Sequence, residues 1–363
     1  MLYQTENQHG GDVYGGGITL DFSANTNPLG TPPGVLEAVC RALPRLHRYP
    51  DPYCRRLVQA ITGHEQVPAS YILCGNGAAD LIYTYCAALR PRTAVELAPT
   101  FVEYGAGLAQ VGCRVERYFL HQAQNFDLDE RFLSFLEEKK PEVVFLCNPN
   151  NPTGALMSQE MLEEIVSIAR RHGSYILCDE VYRHLTQEDG YCPSIVDLYE
   201  KGISVSSMSK VFSLAGIRLG WITSRDPEVL KRCLIHRDYD LISCGLLDET
   251  VAALALKHGD RLLARNRGIV RENLSILDNW VRREPHVTYV KPQAGTTALV
   301  YYDLDIPSYD FCKEMYHATG AFVTPGDCFQ QERCVRVGYA CDRQTLVDGL
   351  EAMSAFLAQK AKS

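Results

Sequence analysis

The residues best able to do chemistry lie in 206–221, SSMSKVFSLAGIRLGW. Lys210 sits there between small hydroxyls, Ser207 and Ser209, and a mostly apolar run of Phe212, Leu214, Ile217 and Leu219. Removing an ammonium from water disfavours its charged form, so a lysine in this setting is expected to be a neutral amine nucleophile. Three further features precede it in chain order. CGNGAAD at 74–80 places two glycines before an apolar helical pattern. A helix N-terminus there would present free N–H groups and a positive dipole end to a phosphate. NPNNPTG at 148–154 follows an apolar run; it reads either as a turn or, through the Asn151 amide, as a donor to a ring oxygen. ILCDEVY at 176–182 carries an apolar run into Asp179, a carboxylate whose burial requires a cationic partner.

A phosphate seat, an amide donor, a buried anion and a desolvated lysine at successive strand ends fit one cofactor, pyridoxal 5′-phosphate. On this reading Lys210 forms the Schiff base, and Asp179 keeps the pyridine nitrogen protonated so that the ring is an electron sink. Tyr182, three residues on, hydrogen-bonds the ring phenolate. Arg218 offers a bidentate guanidinium to the phosphate, together with Ser207 and Ser209. Each motif alone has an ordinary structural reading, as a glycine turn, a core tyrosine or a surface arginine; their joint order carries the assignment.

The elements that must hold these residues are legible as short apolar runs: YILCG at 71, TAVELAP at 93, EVVFLCNPN at 142, SYILCDE at 174, ISVSSMSK at 203 and GWITS at 220. Their length and β-branched content suit strands buried on both faces. Helical patterns lie between them. Residues 158–172 begin with Ser158 as an N-cap candidate and end at Gly173. Such a βαβ rhythm predicts a mainly parallel sheet between helices, with ligands at the carboxyl ends of its strands. After about residue 245 the pattern changes to long helices, short strands and a last helix near 342–358. The expected division is an N-terminal arm (1–30), a large cofactor-binding domain (31–245) and a small α+β domain (246–363) that opens with a long linking helix.

Composition bounds the alternatives. The 363 residues are 46% hydrophobic and 22% charged, with a formal net charge of −8. That balance argues against nucleic acid or anionic membrane as the main partner. The start MLYQTENQHGGD lacks the marks of a secretory signal, and no apolar run approaches a bilayer span, so the cytoplasm is the expected location. Fourteen cysteines are scattered singly without a CxxC pair, and Cys74, Cys113, Cys147 and Cys178 read as buried reduced thiols rather than disulfides or metal ligands. No metal is expected. His9, His47 and His64 have no partner in the sequence that would give them a catalytic role.

NPNNPTG, DEVY and SMSK…GIRLGW, in that order and spacing, resemble the fold-type I, class I/II aminotransferase superfamily over essentially the whole chain. The resemblance implies a seven-stranded-type sheet, with Tyr104 of PTFVEY stacking on the pyridine ring and the backbone N–H groups of Ala78 and Ala79 on the phosphate. It also implies a homodimer with a shared active site, since Tyr49 of RYPDP would reach the phosphate of a second subunit. Arg336 of CVRVGYA would clamp the substrate carboxylate, and Asn25 of DFSANTNPLG would contact substrate. The N-terminal half, with HGGD, DFSANTNPLG and HEQVPASYILCGNG, looks like the threonine-phosphate decarboxylases and the adjoining histidinol-phosphate aminotransferases. The C-terminal half, with RDYDLISCGLLDE, PQAGTTALVYY and VTPGDCF, looks like a branch that includes capreomycidine synthase. Arginines that those phosphate-using families place near the C-terminal strands are matched here by Thr324 and Ala340, which counts against a phosphorylated substrate. The activity implied is transfer of an amino group from an α-amino acid to a 2-oxo acid. Decarboxylation of a phosphoamino acid, or an elimination or cyclisation, is the alternative.

Overall fold

A computed structural model of the chain describes residues 10–362 except 12, 15, 16, 27, 29, 190 and 191, so His9 lies outside the described residues. Strand β1 (Leu20–Asp21) belongs to the arm; strands β2 (Ile72–Gly75), β3 (Thr93–Ala98), β4 (Arg114–Phe119), β5 (Val143–Cys147), β6 (Tyr175–Asp179), β7 (Gly202–Ser207) and β8 (Gly220–Ser224) form one seven-stranded sheet. Its order is β2-β8-β7-β6-β5-β3-β4. β8 runs opposite to the other six strands, which share one direction.

Why these runs become central strands is visible in their alternation. Val95, Leu97, Val144, Leu146, Ile176 and Cys178 enter one apolar core, shared with Leu162, Ile165 and Val166 of the helix Gln159–His172. Ala94, Val143, Phe145, Cys147, Leu177, Ile203 and Val205 enter another, shared with the helices Ala78–Leu89 and Pro227–Asp240. Side chains of period two thus feed two apolar faces, as a doubly covered sheet demands. The helix Gln159–His172 starts and stops as expected. The Ser158 hydroxyl accepts from the Met161 N–H at 3.2 Å, and Gly173 closes the helix at φ 72°; a cap of this kind contributes about 1 kcal/mol.

The remaining chain builds a second, antiparallel sheet from β9 (Val287–Tyr289), β10 (Thr297–Tyr302), β12 (Thr324–Pro325) and β13 (Cys334–Gly338), in the order β12-β13-β10-β9. Helices Gly259–Val281, Ser308–Thr319 and Arg343–Lys360 cover it, around a core containing Leu274, Leu277, Val300, Phe311, Val337 and Phe356. The arm is tied to this part: β1 pairs in parallel with β11 (Ala321–Phe322), and the Gly338 N–H donates to the Phe22 carbonyl at 2.7 Å. This brings Ser23, Ala24 and Asn25 over the carboxyl ends of the large sheet's strands, where they line one cavity with Asp179 and Lys210.

Candidate active site

The carboxyl ends of β2, β5, β6 and β7 open into a cavity of about 420 Å³. Ala78, Ala79, Asn151, Asp179, Tyr182, Ser207, Ser209, Lys210, Arg218, Arg336 and Asn25 all line it. Residues up to 311 positions apart in the chain therefore converge as the motifs implied, the extremes being Asn25 and Arg336.

Lys210 follows β7 in a turn rather than a helix. Its Nζ donates to the Ala24 carbonyl at 3.0 Å. The residue is half-buried and lines the cavity. Burial, together with the nearby Arg336 and Arg218, pulls its pKa from 10.5 down to about 7, against the opposing pull of Asp179. A lysine so shifted is about half neutral at pH 7, whereas an exposed one is neutral about once in 10³ molecules. Asp179 moves the other way. Burial lifts its carboxyl to about 6, opposed by the Tyr104 hydroxyl, the Val181 N–H and Lys210. Its neighbour Glu180, pushed up to about 7 by burial, faces away; it accepts from the Ile195 N–H at 2.8 Å and pairs with Arg183 at 3.3 Å.

The end of the cavity at the helix Ala78–Leu89 is a bare cradle. Gly77 precedes the helix Ala78–Leu89 at φ 99°, a conformation that excludes most side chains, and a β-carbon there would lie 3.1 Å from Arg218 Nη2. Gly220 is equally constrained, since a β-carbon on it would meet the Ala78 nitrogen at 3.0 Å. Two backbone N–H groups at a helix start, the hydroxyls of Ser207 and Ser209 and the exposed guanidinium of Arg218 thus surround a space kept free of side chains. That donor set suits a phosphomonoester dianion. At the opposite end Arg336 is buried and donates to neutral acceptors: Ser23 carbonyl at 2.8 Å, Thr324 Oγ1 at 3.2 Å and Asn151 Oδ1 at 3.2 Å. Because Asn151 accepts through its oxygen, its NH₂ remains the donating side of the amide. The Asn25 side chain belongs to the cavity lining, but its Oδ1 is buried against Gly338 and has no hydrogen-bond partner among the described residues.

Several expectations need correction or placing. Tyr104 does not line the cavity; Phe101 does. The helix Glu103–Gln110 starts immediately after Phe101–Val102, so Tyr104 falls on its first turn and points into the core against Phe145, with ring centroids 5.7 Å apart. Its hydroxyl donates to Asp179 Oδ2 at 2.8 Å. The aromatic available to a ring in the cavity is Phe101. PTFVEY holds two aromatics three residues apart, and the position of the helix start is the signal that separates them. Tyr49 is 85% exposed and outside the cavity. Cys147 and the arm residues Gly10 and Gly11 also line the cavity, unforeseen from sequence. His47 is exposed and bonded to Pro44, and His64 packs on His184 and Phe212 away from the cavity. Of the four cysteines expected to be buried, Cys74, Cys147 and Cys178 are, whereas Cys113 is half-exposed.

A mainly parallel sheet with a lysine, an aspartate and a helix-start phosphate cradle at its carboxyl ends defines a fold-type I pyridoxal-phosphate enzyme. The chain matches the family Aminotransferase class I and II over residues 18–353 and belongs to it. It is 38% identical to the threonine-phosphate decarboxylase of Salmonella typhimurium over 216 residues, 59% of this chain and 58% of that enzyme, so the match spans under two thirds of the decarboxylase. It is 30% identical to a histidinol-phosphate aminotransferase of Geobacillus thermodenitrificans over 276 residues, 74% of this chain and 72% of that one. A PLP-dependent aminotransferase from Streptococcus suis shares the fold with a TM-score of 0.85 at 31% identity, over 95% of this chain and 94% of that one.

Proposed function

We propose that the chain moves an amino group from an α-amino acid with an unphosphorylated side chain to a 2-oxo acid, with Lys210 as the residue that carries the covalent chemistry. The observation that carries this is the pairing, in one cavity, of an amine held near neutrality and a buried guanidinium. The cofactor, when bound, supplies an electron sink for the pair left at the amino acid's α-carbon. Lys210 would hold the cofactor through its neutral amine, and the same amine would move the substrate's α-proton, taking it as a base and giving it up as an acid. Arg336 binds the substrate carboxylate and retains it, which favours proton loss over loss of CO₂. Asp179 holds a proton at the ring nitrogen, while Tyr182 and the Asn151 amide orient the ring oxygen. Asn25 contacts the substrate. Arg218, Ser207, Ser209 and the N–H groups of Ala78 and Ala79 hold the phosphate.

Thr324 is committed to Arg336, and Ala340 is buried in the apolar core of the second sheet, so neither offers a cation to a second phosphate. The 38% identity to a decarboxylase keeps phosphoamino-acid decarboxylation as the second reading. The finer assembly is part of the proposal. Leu43, Leu46, Tyr49 and Tyr53 are all exposed on one short stretch, which suits burial against a second copy whose phosphate Tyr49 would reach. The free thiols of its cysteines support a reducing, cytoplasmic setting. Among the described residues no helix is long and apolar enough to cross a membrane.

The test is a panel of amino acids, with and without phosphate on the side chain, incubated with the holoenzyme and 2-oxo acids while amino transfer and CO₂ are measured together. Transfer without CO₂ is the expected result. CO₂ release with the amine retained would establish the decarboxylase reading instead.

A further inference from the structure

We propose that Tyr104 is a positioning residue for catalysis: its hydroxyl fixes the orientation and charge of Asp179 so that a proton stays on the cofactor nitrogen rather than on the carboxylate. The proposal rests on the reading that Asp179 faces that nitrogen. Tyr104 is fully buried, and its hydroxyl lies 2.8 Å from Asp179 Oδ2, while the Val181 N–H holds Oδ1 at 3.1 Å. Each carboxylate oxygen is therefore anchored once from the protein side. The phenol ring is itself fixed, with Phe101 edge-on at 5.7 Å and Phe145 at 5.7 Å. A donor whose ring cannot rotate away imposes one carboxylate plane.

A hydrogen bond to the ionised form of an acid favours ionisation. Burial alone drives Asp179 up, and Tyr104 is the leading influence that opposes it. Tyr104 remains a protonated donor throughout the working range, because burial and the Asp179 charge push its own hydroxyl well above 10. The other titratable groups facing Asp179 are Lys210, Tyr182, Cys147 and Cys178. Burial pushes the last three upward, so they stay neutral, and none of them is hydrogen-bonded to the carboxylate, whose partners are the Tyr104 hydroxyl and the Val181 N–H. Without the phenol, Asp179 would be the stronger base and would draw the shared proton toward itself.

The experiment is ¹⁵N NMR of the holoenzyme reconstituted with ring-labelled cofactor, in wild type, Tyr104→Phe and Asp179→Asn, with pH profiles of turnover. Wild type should show a protonated ring nitrogen. Tyr104→Phe should take up cofactor yet move the nitrogen signal toward the unprotonated position, shift the pH at which it titrates by about one unit, and lower kcat about tenfold with KM changed less than twofold. A folded Tyr104→Phe enzyme with unchanged nitrogen signal and pH profile overturns the proposal. If that variant does not fold, ring-fluorinated tyrosines at position 104 decide the matter: more acidic phenols should move the signal progressively toward full protonation, and no trend refutes the role. Asp179→Asn separates the two failures. If it shifts the nitrogen signal and Tyr104→Phe does not, only the Tyr104 proposal falls; if it too leaves the signal in place, the assignment of Asp179 falls and takes this proposal with it.

Discussion

Asp179 and Asp278 each accept a hydrogen bond from a tyrosine, buried in one case and part-buried in the other, and their chemistry diverges from there. Asp278, on the helix Gly259–Val281, accepts from Tyr289 at 2.6 Å and also meets Lys291 at 3.0 Å and Arg282 at 2.9 Å. Burial pushes its carboxyl up, but the phenol and the two cations together outweigh that and hold it below the ordinary aspartate value. Asp179 has a phenol and a backbone N–H as its hydrogen-bond partners, with Lys210 acting on it only through its field, and burial wins. A structural acid is given its cations by the fold, whereas an acid built for a ligand keeps a place for the ligand's positive charge. Such unmet demand is the mark of a functional group.

The largest break in this comparison comes from the amine. Lys210→Ala should abolish covalent cofactor attachment, measured by borohydride reduction and mass spectrometry, and lower turnover by at least about 10³-fold. In the wild type the rate of covalent capture should rise about tenfold per pH unit below 7 and level off above it, because the amine is reactive only when neutral and its folded pKa is about 7. A rise continuing to pH 10 would show an ordinary exposed lysine. Asp179→Asn comes next. It should leave a folded protein that still takes up cofactor, with kcat down about 10²-fold. Folding itself should not suffer, since the raised carboxyl of Asp179 costs stability at neutral pH. Its folded value lies above its unfolded one, so the ionised apoprotein regains that cost as pH falls through about 6. Arg336→Lys should be milder, raising KM for the amino acid about 10–100-fold, because an ammonium keeps the charge but loses the fork that meets a carboxylate with two parallel bonds. Equal loss for all amines, with or without a carboxylate, would mean that Arg336 only props up the arm through the Ser23 carbonyl.

How far the site could be read from sequence follows from the same physics. Lys210, Asp179, Asn151 and Arg218 were legible because each breaks a local rule: a charge or amide at the end of an apolar run has to be explained. The runs that became β2, β3, β5, β6, β7 and β8 were legible for the complementary reason, being buried along most of their length. β4, RVERYF, was not, because an edge strand with polar, largely accessible positions carries no apolar run. Tyr104 and Phe101 were confused because PTFVEY does not show where the helix begins, and a shift of one turn decides which ring faces the cavity. The antiparallel sense of β8 and the pairing of β1 with β11 depend on contacts between distant parts of the chain. Local patterns carry no information on them.

Asp278→Asn gives the smallest effect and the sharpest contrast. The substitution keeps size and removes charge, so Tyr289 retains an acceptor while Lys291 and Arg282 lose their anion. Both cations are largely solvent-exposed, which screens the loss, so about 1 kcal/mol of stability should go, with kcat and KM unchanged. The pH dependence should run opposite to that of Asp179. A carboxyl held below its ordinary value contributes stability that is complete above that value and disappears as acid protonates the folded form. Wild type should therefore lose its advantage over Asp278→Asn below about pH 4, read from paired urea melts at descending pH. An advantage that does not decline at all as the pH is lowered below about 4 would show that the asparagine amide, rather than the missing charge, sets the difference, and the two aspartates would no longer be opposites.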